Sequence, residues 1–121
     1  MAEVKLSHER ARESPRVAVV RIHGEVDSTN GRAVESYFDT VLQDEQPRHV
    51  LLDLGGVTFG DSAFFSSLLF WREELTKRGG KLIMFAPRPE LISTMRILAL
   101  DRVLTIRPDQ AAALAGLPAD A

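Results

Sequence analysis

The dipeptide Asp61-Ser62 is the pair of residues in this sequence best placed to support chemistry. The stretch that follows it has apolar residues at helical spacing, which predicts a helix that begins at this pair. A phosphoryl group on Ser62 would then face free backbone N–H groups and the positive end of the helix dipole. Capping of the helix by Asp61 or Ser62 is the simpler role for these side chains, and the two roles can coexist.

Enzymatic machinery is not indicated around Ser62, which lies in the sequence GDSAF rather than in a G-x-S-x-G elbow. His23 ends one predicted strand and His49 starts another, so we expect the two imidazoles at opposite ends of parallel strands, in ordinary surface roles. A small hydrolase that uses Ser62 is kept only as a minor alternative. Phosphate-binding loops, G-x-G-x-x-G motifs and metal-ligand spacings are missing from the sequence, so we expect no catalytic residue, no cofactor and no metal.

Composition narrows the classes of function further. The chain has 121 residues, 45% of them hydrophobic and 26% charged, which is typical of one globular domain. A net charge of −2 argues against a nucleic-acid partner, and the absence of cysteine excludes disulfides and thiol catalysis. Apolar runs stay well short of about 18 residues and the N-terminus lacks a signal-peptide core, so we expect no membrane insertion and a cytoplasmic location.

Strands and helices are predicted to alternate along the chain. Runs rich in β-branched residues predict strands, and apolar steps of three and four predict helices. The predicted strands are 16–22, 49–54, 81–85 and 102–106, with an edge strand near Val4, and the predicted helices are 28–42, 62–78, 87–99 and 108–114. Gly55-Gly56 is expected to end the strand before it, and Gly79-Gly80 to cap the long helix.

This order predicts an α/β fold, a single domain with a mixed, mostly parallel β-sheet of four to five strands packed against about four helices. The domain is predicted to span residues 16–117, after a polar segment of residues 1–15 with the edge strand and before a frayed tail of residues 118–121. In such sheets functional loops gather at the carboxyl ends of the strands. The candidate loops are 24–27 and 59–62.

The long helix that follows Asp61 is apolar almost all round in its first turns. Deep burial between the sheet and other helices is one interpretation of this pattern. The other is a partner-binding patch formed by an exposed Phe65, Leu69 or Phe70. The buried core is expected to include Val20, Leu52, Leu54, Leu68, Trp71, Leu82, Ile83 and Leu98.

Four motifs in register resemble the STAS domain, and in particular the bacterial anti-sigma factor antagonist family, over residues 16–117. The motifs are G-E-x-D at Gly24, Glu25 and Asp27, D-L-x-x-V-x-F-x-D-S at Asp53, Leu54, Val57, Phe59, Asp61 and Ser62, G-G-x-L at Gly79, Gly80 and Leu82, and L-x-R-V-L at Leu100, Arg102, Val103 and Leu104. The resemblance covers essentially the whole predicted domain.

The resemblance implies a switchable binding module. In the family the serine directly after the aspartate is phosphorylated, which here is Ser62, and the aspartate of G-E-x-D lies beside it, which here is Asp27. The unmodified domain is then expected to bind an anti-sigma factor that is also a serine kinase, and a PP2C-type phosphatase is expected to reset the switch. The implied partner-binding residues are Asp27, Asp61, Ser62, Phe65 and Leu69.

The sequence departs from the family pattern directly after the serine. Ala63 and Phe64 stand where the family has Ser or Thr and then Gly. A large aromatic at residue 64 would either obstruct the approach of a partner or turn inward to the core. This departure motivates an alternative function, a constitutive STAS scaffold or a regulatory subunit of a stress-signalling or transport complex, without a phosphoswitch. The sequence leaves open whether the domain forms a homodimer.

Overall fold

The computed structural model describes residues 3–12 and 14–118. Along the chain the elements are β1 (Val4–Ala11), β2 (Ser14–Val26), α1 (Gly31–Asp44), β3 (His49–Gly60), α2 (Ser62–Lys77), β4 (Leu82–Phe85), α3 (Pro89–Ile97), a 3₁₀ turn (Leu100–Arg102), β5 (Thr105–Arg107) and α4 (Gln110–Ala115). The α/β class and the predicted order of strands and helices are confirmed. Residues 119–121 of the predicted tail lie outside the described residues.

The five strands form one sheet in the order β1-β2-β3-β4-β5. β1 pairs with β2 in the antiparallel direction, and every other neighbouring pair is parallel. The edge strand expected near Val4 is present and spans 8 residues, so the sheet reaches into the segment predicted as a polar leader. Because β2 and β3 pair over most of their length, their carboxyl ends lie at the same edge of the sheet.

β3 does not end at Gly55-Gly56, as the sequence predicted, but continues to Gly60. It continues because β2 also extends beyond its predicted end and pairs with it, with Val26 opposite Gly60. The His23 ring lies so close to Gly56 that a Cβ atom there would collide with it. Gly56 therefore makes room for the His23 ring, and neither glycine ends the strand.

Helices cover both faces of the sheet. α1, α2 and α3 share one cluster, in which the Phe38 ring stacks on Trp71 with ring centroids 4.1 Å apart. Ala113 of α4 belongs to a smaller cluster on the other face. Most of the predicted core is confirmed as buried, namely Val20, Leu52, Leu54, Leu68, Trp71, Leu82 and Ile83.

Leu98 is 52% exposed, so its predicted place in the core is wrong. α3 ends at Ile97, and the next residue but one, Ala99, has a left-handed φ of 59°. The helix therefore ends one residue before Leu98, so Leu98 does not continue the buried face of α3. Ile97, at the end of the same helix, is exposed as well.

His49 is 1% exposed, so the surface role predicted for it is also wrong. It opens β3 beside Val17, which is itself fully buried. The Nδ1 atom of His49 accepts a hydrogen bond from the backbone N–H of Lys81, with a donor–acceptor distance of 3.0 Å. The imidazole thus holds the chain entering β4 against the start of β3.

Gly79 caps α2 as the sequence predicted, because its φ of +75° lies in the left-handed region that favours glycine. The N–H of Gly80 donates to the carbonyl of Leu75 at 2.8 Å, and the N–H of Gly79 donates to that of Thr76 at 3.0 Å. This pair of bonds is a Schellman motif. It ends α2 sharply and turns the chain into β4.

Candidate functional site

The carboxyl ends of β2 and β3 bring the two candidate loops together. Val26 lies opposite Gly60 in the parallel register, and the N–H of Asp61 donates to the carbonyl of Val26 at 3.0 Å. Asp27 directly follows Val26, and Ser62 lies two residues after Gly60. The two side chains therefore start from neighbouring positions at the ends of the paired strands. Of the residues predicted for the site, the structure places Asp27, Asp61 and Ser62 at this single edge.

Asp61 is the N-cap of α2. Its backbone is extended, with φ −82° and ψ 178°, and its Oδ1 accepts a hydrogen bond from the N–H of Phe64 at 2.9 Å. The capping predicted for Asp61 or Ser62 is thus performed by Asp61. An aspartate in this role accepts a hydrogen bond from one of the backbone N–H groups that have no partner within the helix at its start.

Ser62 is the first residue of α2 and is exposed. Because Asp61 does the capping, the Ser62 hydroxyl makes no hydrogen bond to any residue that the structure describes. A negatively charged group added at this position would lie within the first turn of α2, where the helix dipole favours negative charge. The geometry leaves this hydroxyl accessible to another protein.

The loop that carries Asp27 is held by its own hydrogen bonds. Asp27 Oδ1 accepts from the N–H of Thr29 at 2.8 Å and from its hydroxyl at 2.6 Å. The Asn30 side chain accepts from the N–H of Asp27 at 3.0 Å and donates to the carbonyl of Glu25 at 2.7 Å. The Thr29 hydroxyl and then its N–H lower the pKa of Asp27 from its ordinary value of 3.8, so this carboxylate is charged at neutral pH.

Phe64 turns inward. Its side chain is 2% exposed, and its ring packs over Gly60 at the end of β3. Of the two orientations considered from the sequence, the structure has the one that leaves the surface around Ser62 uncovered. The departure from the family motif therefore changes the core beneath the site more than the surface of the site.

The three apolar side chains considered for a partner-binding patch have different exposures. Phe65 is 5% exposed, so the expectation that it forms part of an exposed patch is wrong, and its predicted role as a partner contact is not favoured. Its ring lies beside that of Phe64, with centroids 6.0 Å apart, because both face the sheet. Leu69 is half-buried, and Phe70 is 57% exposed.

A groove between α1 and α2 runs alongside the site. It has a volume of about 450 Å³ and is lined by Glu35, Asp39, Ala63, Ser66, Ser67, Phe70 and Trp71. Ser67 donates a hydrogen bond from its hydroxyl to Glu35 Oε1 at 2.8 Å, which ties the two walls together. Ala63, which directly follows Ser62 in the chain, is one of the lining residues, whereas Ser62 itself is not.

The α1 wall of this groove is acidic. Burial raises the pKa of Asp39 above its ordinary value of 3.8, and the neighbouring carboxylates of Glu35 and Glu74 raise it further. The carboxylates on α1 and the ring of Phe70 on α2 give the groove one charged and one apolar side. Sequence reasoning missed the groove, because it depends on how the two helices pack.

Phe59 is a second surface feature that the sequence did not reveal. It is 51% exposed, close to the end of β3 and only a few residues before Ser62. Thr58 beside it is also exposed, so the alternation of inward and outward side chains is broken there. This broken alternation could only have been recognised once β3 was known to extend this far.

A catalytic triad is not formed by the histidines considered with Ser62. His49 pairs with Val17 at the start of the parallel strands, whereas His23 pairs with Gly56 near their end. Within residues 3–12 and 14–118, no group of three or more His, Cys, Asp or Glu side chains is arranged to hold a metal ion. In the same part of the chain, no helix is long and apolar enough to cross a membrane.

The five-stranded α/β fold of this chain matches that of a solved STAS domain protein from Planctomyces limnophilus, with a TM-score of 0.74 and 23% identity over 93% of this chain and 95% of that one. The family model for the STAS domain matches residues 9–113, and this chain belongs to that family.

Relatives of known identity agree with this assignment. The anti-sigma F factor antagonist of Paenibacillus polymyxa is 24% identical over 115 residues, which cover 95% of this chain and 94% of that protein. The crystal structure of an anti-sigma factor antagonist from Mycobacterium paratuberculosis has a TM-score of 0.83 and 25% identity, covering 95% of this chain and 94% of that one. The phosphorylated form of the Bacillus cell fate determinant SpoIIAA shares the fold, with a TM-score of 0.66 and 16% identity over 90% of this chain and 97% of that one.

Proposed function

We propose that this protein is an anti-sigma factor antagonist, a non-catalytic binding module that captures an anti-sigma factor and so frees a sigma factor. The observation that carries the proposal is the exposed Ser62 at the start of α2, directly after the capping Asp61 and beside the ordered Asp27 loop. The names of the relatives from Paenibacillus polymyxa and Mycobacterium paratuberculosis support it.

The proposed contact surface is centred on Asp27, Asp61 and Ser62. From there it extends along α2 to the half-buried Leu69 and into the groove that ends at Phe70. The hydrogen bonds from Thr29 pre-organise Asp27, so little conformational entropy is lost when a partner binds. Aromatic side chains such as Phe70 are enriched at the centres of protein interfaces.

We further propose that the bound anti-sigma factor is a serine kinase that phosphorylates Ser62. The Ser62 oxygen forms a bond to the γ-phosphorus of the ATP held by the kinase. The bond between that phosphorus and the β,γ-bridging oxygen breaks, ADP leaves, and the hydroxyl proton is released. A PP2C-type phosphatase then hydrolyses the phosphoserine with water, which restores the hydroxyl and releases inorganic phosphate.

Phosphorylation would change the contact surface without unfolding it. The phosphoryl group adds nearly two negative charges at neutral pH, and the start of α2 tolerates them because of the helix dipole. The same charges would lie beside the carboxylate of Asp27, and burying them against a partner requires removing their hydration. The expected consequence is that the domain stays folded and the partner dissociates.

The alternative, a constitutive scaffold or regulatory subunit without a switch, was motivated by Phe64. The inward orientation of this ring removes the steric obstacle in front of Ser62 and so supports the switch. The two functions differ in one outcome. A scaffold would bind its partner equally well with serine, alanine or aspartate at residue 62.

The test is phosphorylation and binding with the anti-sigma factor kinase purified from the organism that produces this chain. We expect wild type and Ser62→Ala to bind this kinase, Ser62→Asp to bind at least about tenfold more weakly, and radiolabel from ATP to enter wild type but not Ser62→Ala. Ser28→Ala, which alters an exposed serine in the neighbouring loop, is the matched control and should be labelled like wild type. Equal binding by all three forms at residue 62 would support the scaffold instead.

A further inference from the structure

The corner between α3 and β5 carries an exposed apolar patch far from Ser62 along the chain. Ile97 is 83% exposed, Leu98 52% and Val103 45%. They lie close together in the chain, in the segment where α3 ends at Ile97, Ala99 has a left-handed φ and the 3₁₀ turn follows at once. Three large exposed aliphatic side chains at one turn are unusual for a surface that faces only water.

Arginines surround this patch. Arg96, Arg102 and Arg107 line an open, mostly polar pocket of about 430 Å³ beside Val103. In the part of the chain that the structure describes, none of the three guanidinium groups forms an ion pair with a carboxylate, and Asp101 is the only acidic residue lining the pocket. The pocket therefore has a local surplus of positive charge in a chain whose net charge is −2.

We propose that this corner is a peripheral docking surface for a membrane that contains anionic phospholipid. Ile97, Leu98 and Val103 would enter the level of the headgroups, and the flanking arginines would bind the phosphates. Guanidinium groups form paired, charge-assisted hydrogen bonds with phosphate oxygens, which suits arginine to this role. Apolar side chains beside basic ones are the combination with which peripheral proteins hold an anionic surface.

The shape and charge of the corner favour a lipid surface over a folded partner. The aliphatic side chains project from the end of a helix, so a protein partner would need a matching cavity, whereas a fluid bilayer accommodates projecting groups. A second copy that met the same patch across a two-fold axis would bring both sets of arginines together. That like-charge contact would be unfavourable.

The distribution of charge over the domain also favours one orientation of the domain on an anionic surface. β5, which the 3₁₀ turn contacts, is one edge strand of the sheet, whereas the acidic α1 packs on β1 and β2 at the other edge. An anionic surface would therefore attract the arginine corner and repel the wall with Glu35 and Asp39.

The experiment is sedimentation of the purified chain with vesicles of equal parts phosphatidylglycerol and phosphatidylcholine, compared with vesicles of phosphatidylcholine alone. We expect binding only to the anionic vesicles, weakened by added salt. Each arginine near an anionic surface contributes about a fivefold change in affinity, so Arg96→Gln with Arg102→Gln should weaken binding at least about tenfold. The double change Ile97→Ser with Leu98→Ser should weaken binding similarly.

The matched control for charge is Arg32→Gln with Arg72→Gln, which changes the net charge equally but lies on α1 and α2. This control should bind like wild type, and circular dichroism should show that every variant is folded. The proposal is overturned if wild type does not bind the anionic vesicles, or if the control loses binding as much as the corner variants do. Binding of inorganic phosphate at this pocket without vesicle binding would also overturn it, in favour of a site for free anions.

Discussion

The ring of Phe64 lies so close to Gly60 that a Cβ atom at residue 60 would be 2.5 Å from the ring's Cδ2 atom. This contact joins the end of β3 to the first turn of α2, on either side of Asp61 and Ser62. The aromatic residue that departs from the family motif is therefore part of the support of the site. Its position explains how Ser62 can stay accessible beside a large side chain.

Phe64→Ala should lower the free energy of unfolding by about 3–5 kcal/mol, because it leaves a cavity under the start of α2. Phe70→Ala, on the same helix but at a 57% exposed position, should change it by no more than about 0.5 kcal/mol. Urea unfolding followed by tryptophan fluorescence measures both. Equal effects of the two variants would show that Phe64 is not packed as described.

Asp61→Ala should destabilise the domain by about 1 kcal/mol, because the hydrogen bond to the N–H of Phe64 is lost from the start of α2. Asp61→Asn should keep most of the stability, since an amide oxygen can accept the same bond. The measurement is the urea midpoint at neutral pH. A midpoint for Asp61→Ala that matched wild type would contradict the capping role.

Leu52→Ala should cost about 2–5 kcal/mol, because Leu52 is fully buried in β3 at the centre of the sheet. Leu98→Ala is the matched control, with the same chemical change at a site that is 52% exposed, and it should stay within about 0.5 kcal/mol of wild type. Thermal and urea unfolding both report the difference. A large cost for Leu98 would mean that this residue packs in the core after all.

The carboxylate of Asp27 should titrate below 3.8, because the Thr29 hydroxyl and N–H stabilise its charged form. A pKa that is lowered in the folded state means a stabilising contribution present above 3.8 and lost as the pH falls through the folded pKa. Carboxyl chemical shifts in NMR measure this pKa directly. Thr29→Val, which removes the hydroxyl, should raise it, and an unchanged value would contradict the assigned cause.

Asp39→Asn should stabilise the domain slightly at neutral pH, because the residue is exposed and solvent screens most of the charge repulsion. The pKa of Asp39 is raised by burial and by Glu35 and Glu74, so its charged form is disfavoured in the folded state. The sign is therefore opposite to that of Asp27, and the penalty disappears as the pH falls and Asp39 becomes protonated. Unfolding of wild type and variant should thus differ near pH 7 and converge near about pH 3. A variant less stable than wild type at neutral pH would contradict this.

Local sequence signals predicted much of this molecule. The period of the apolar residues gave the order of strands and helices, and Asp61-Ser62 marked the start of α2 because capping depends on residues close together in the chain. The glycine pair at the end of α2 was recognisable for the same reason, since a left-handed φ at Gly79 is a local requirement. The motifs that resemble the STAS family then pointed to Ser62.

Other features depended on contacts between distant residues. β3 reaches Gly60 only because β2 pairs with it there. The residues of β3 do not by themselves predict this pairing. His49 is buried because a neighbouring strand and the N–H of Lys81 cover it, although its position at the start of a predicted strand had suggested a surface role. In each case the deciding atom belongs to another element.

By itself the sequence determined the α/β class, the order of the elements and the serine at the start of α2, because these depend on periodicity and on neighbours in the chain. Only the tertiary structure decided that Phe64 and Phe65 face inward while Phe70 and Leu98 face outward. The spacing of Leu68 and Trp71 already indicated a buried face of α2, but its first turns are apolar almost all round, so packing against the sheet and α1 decided which of the neighbouring aromatic side chains is buried.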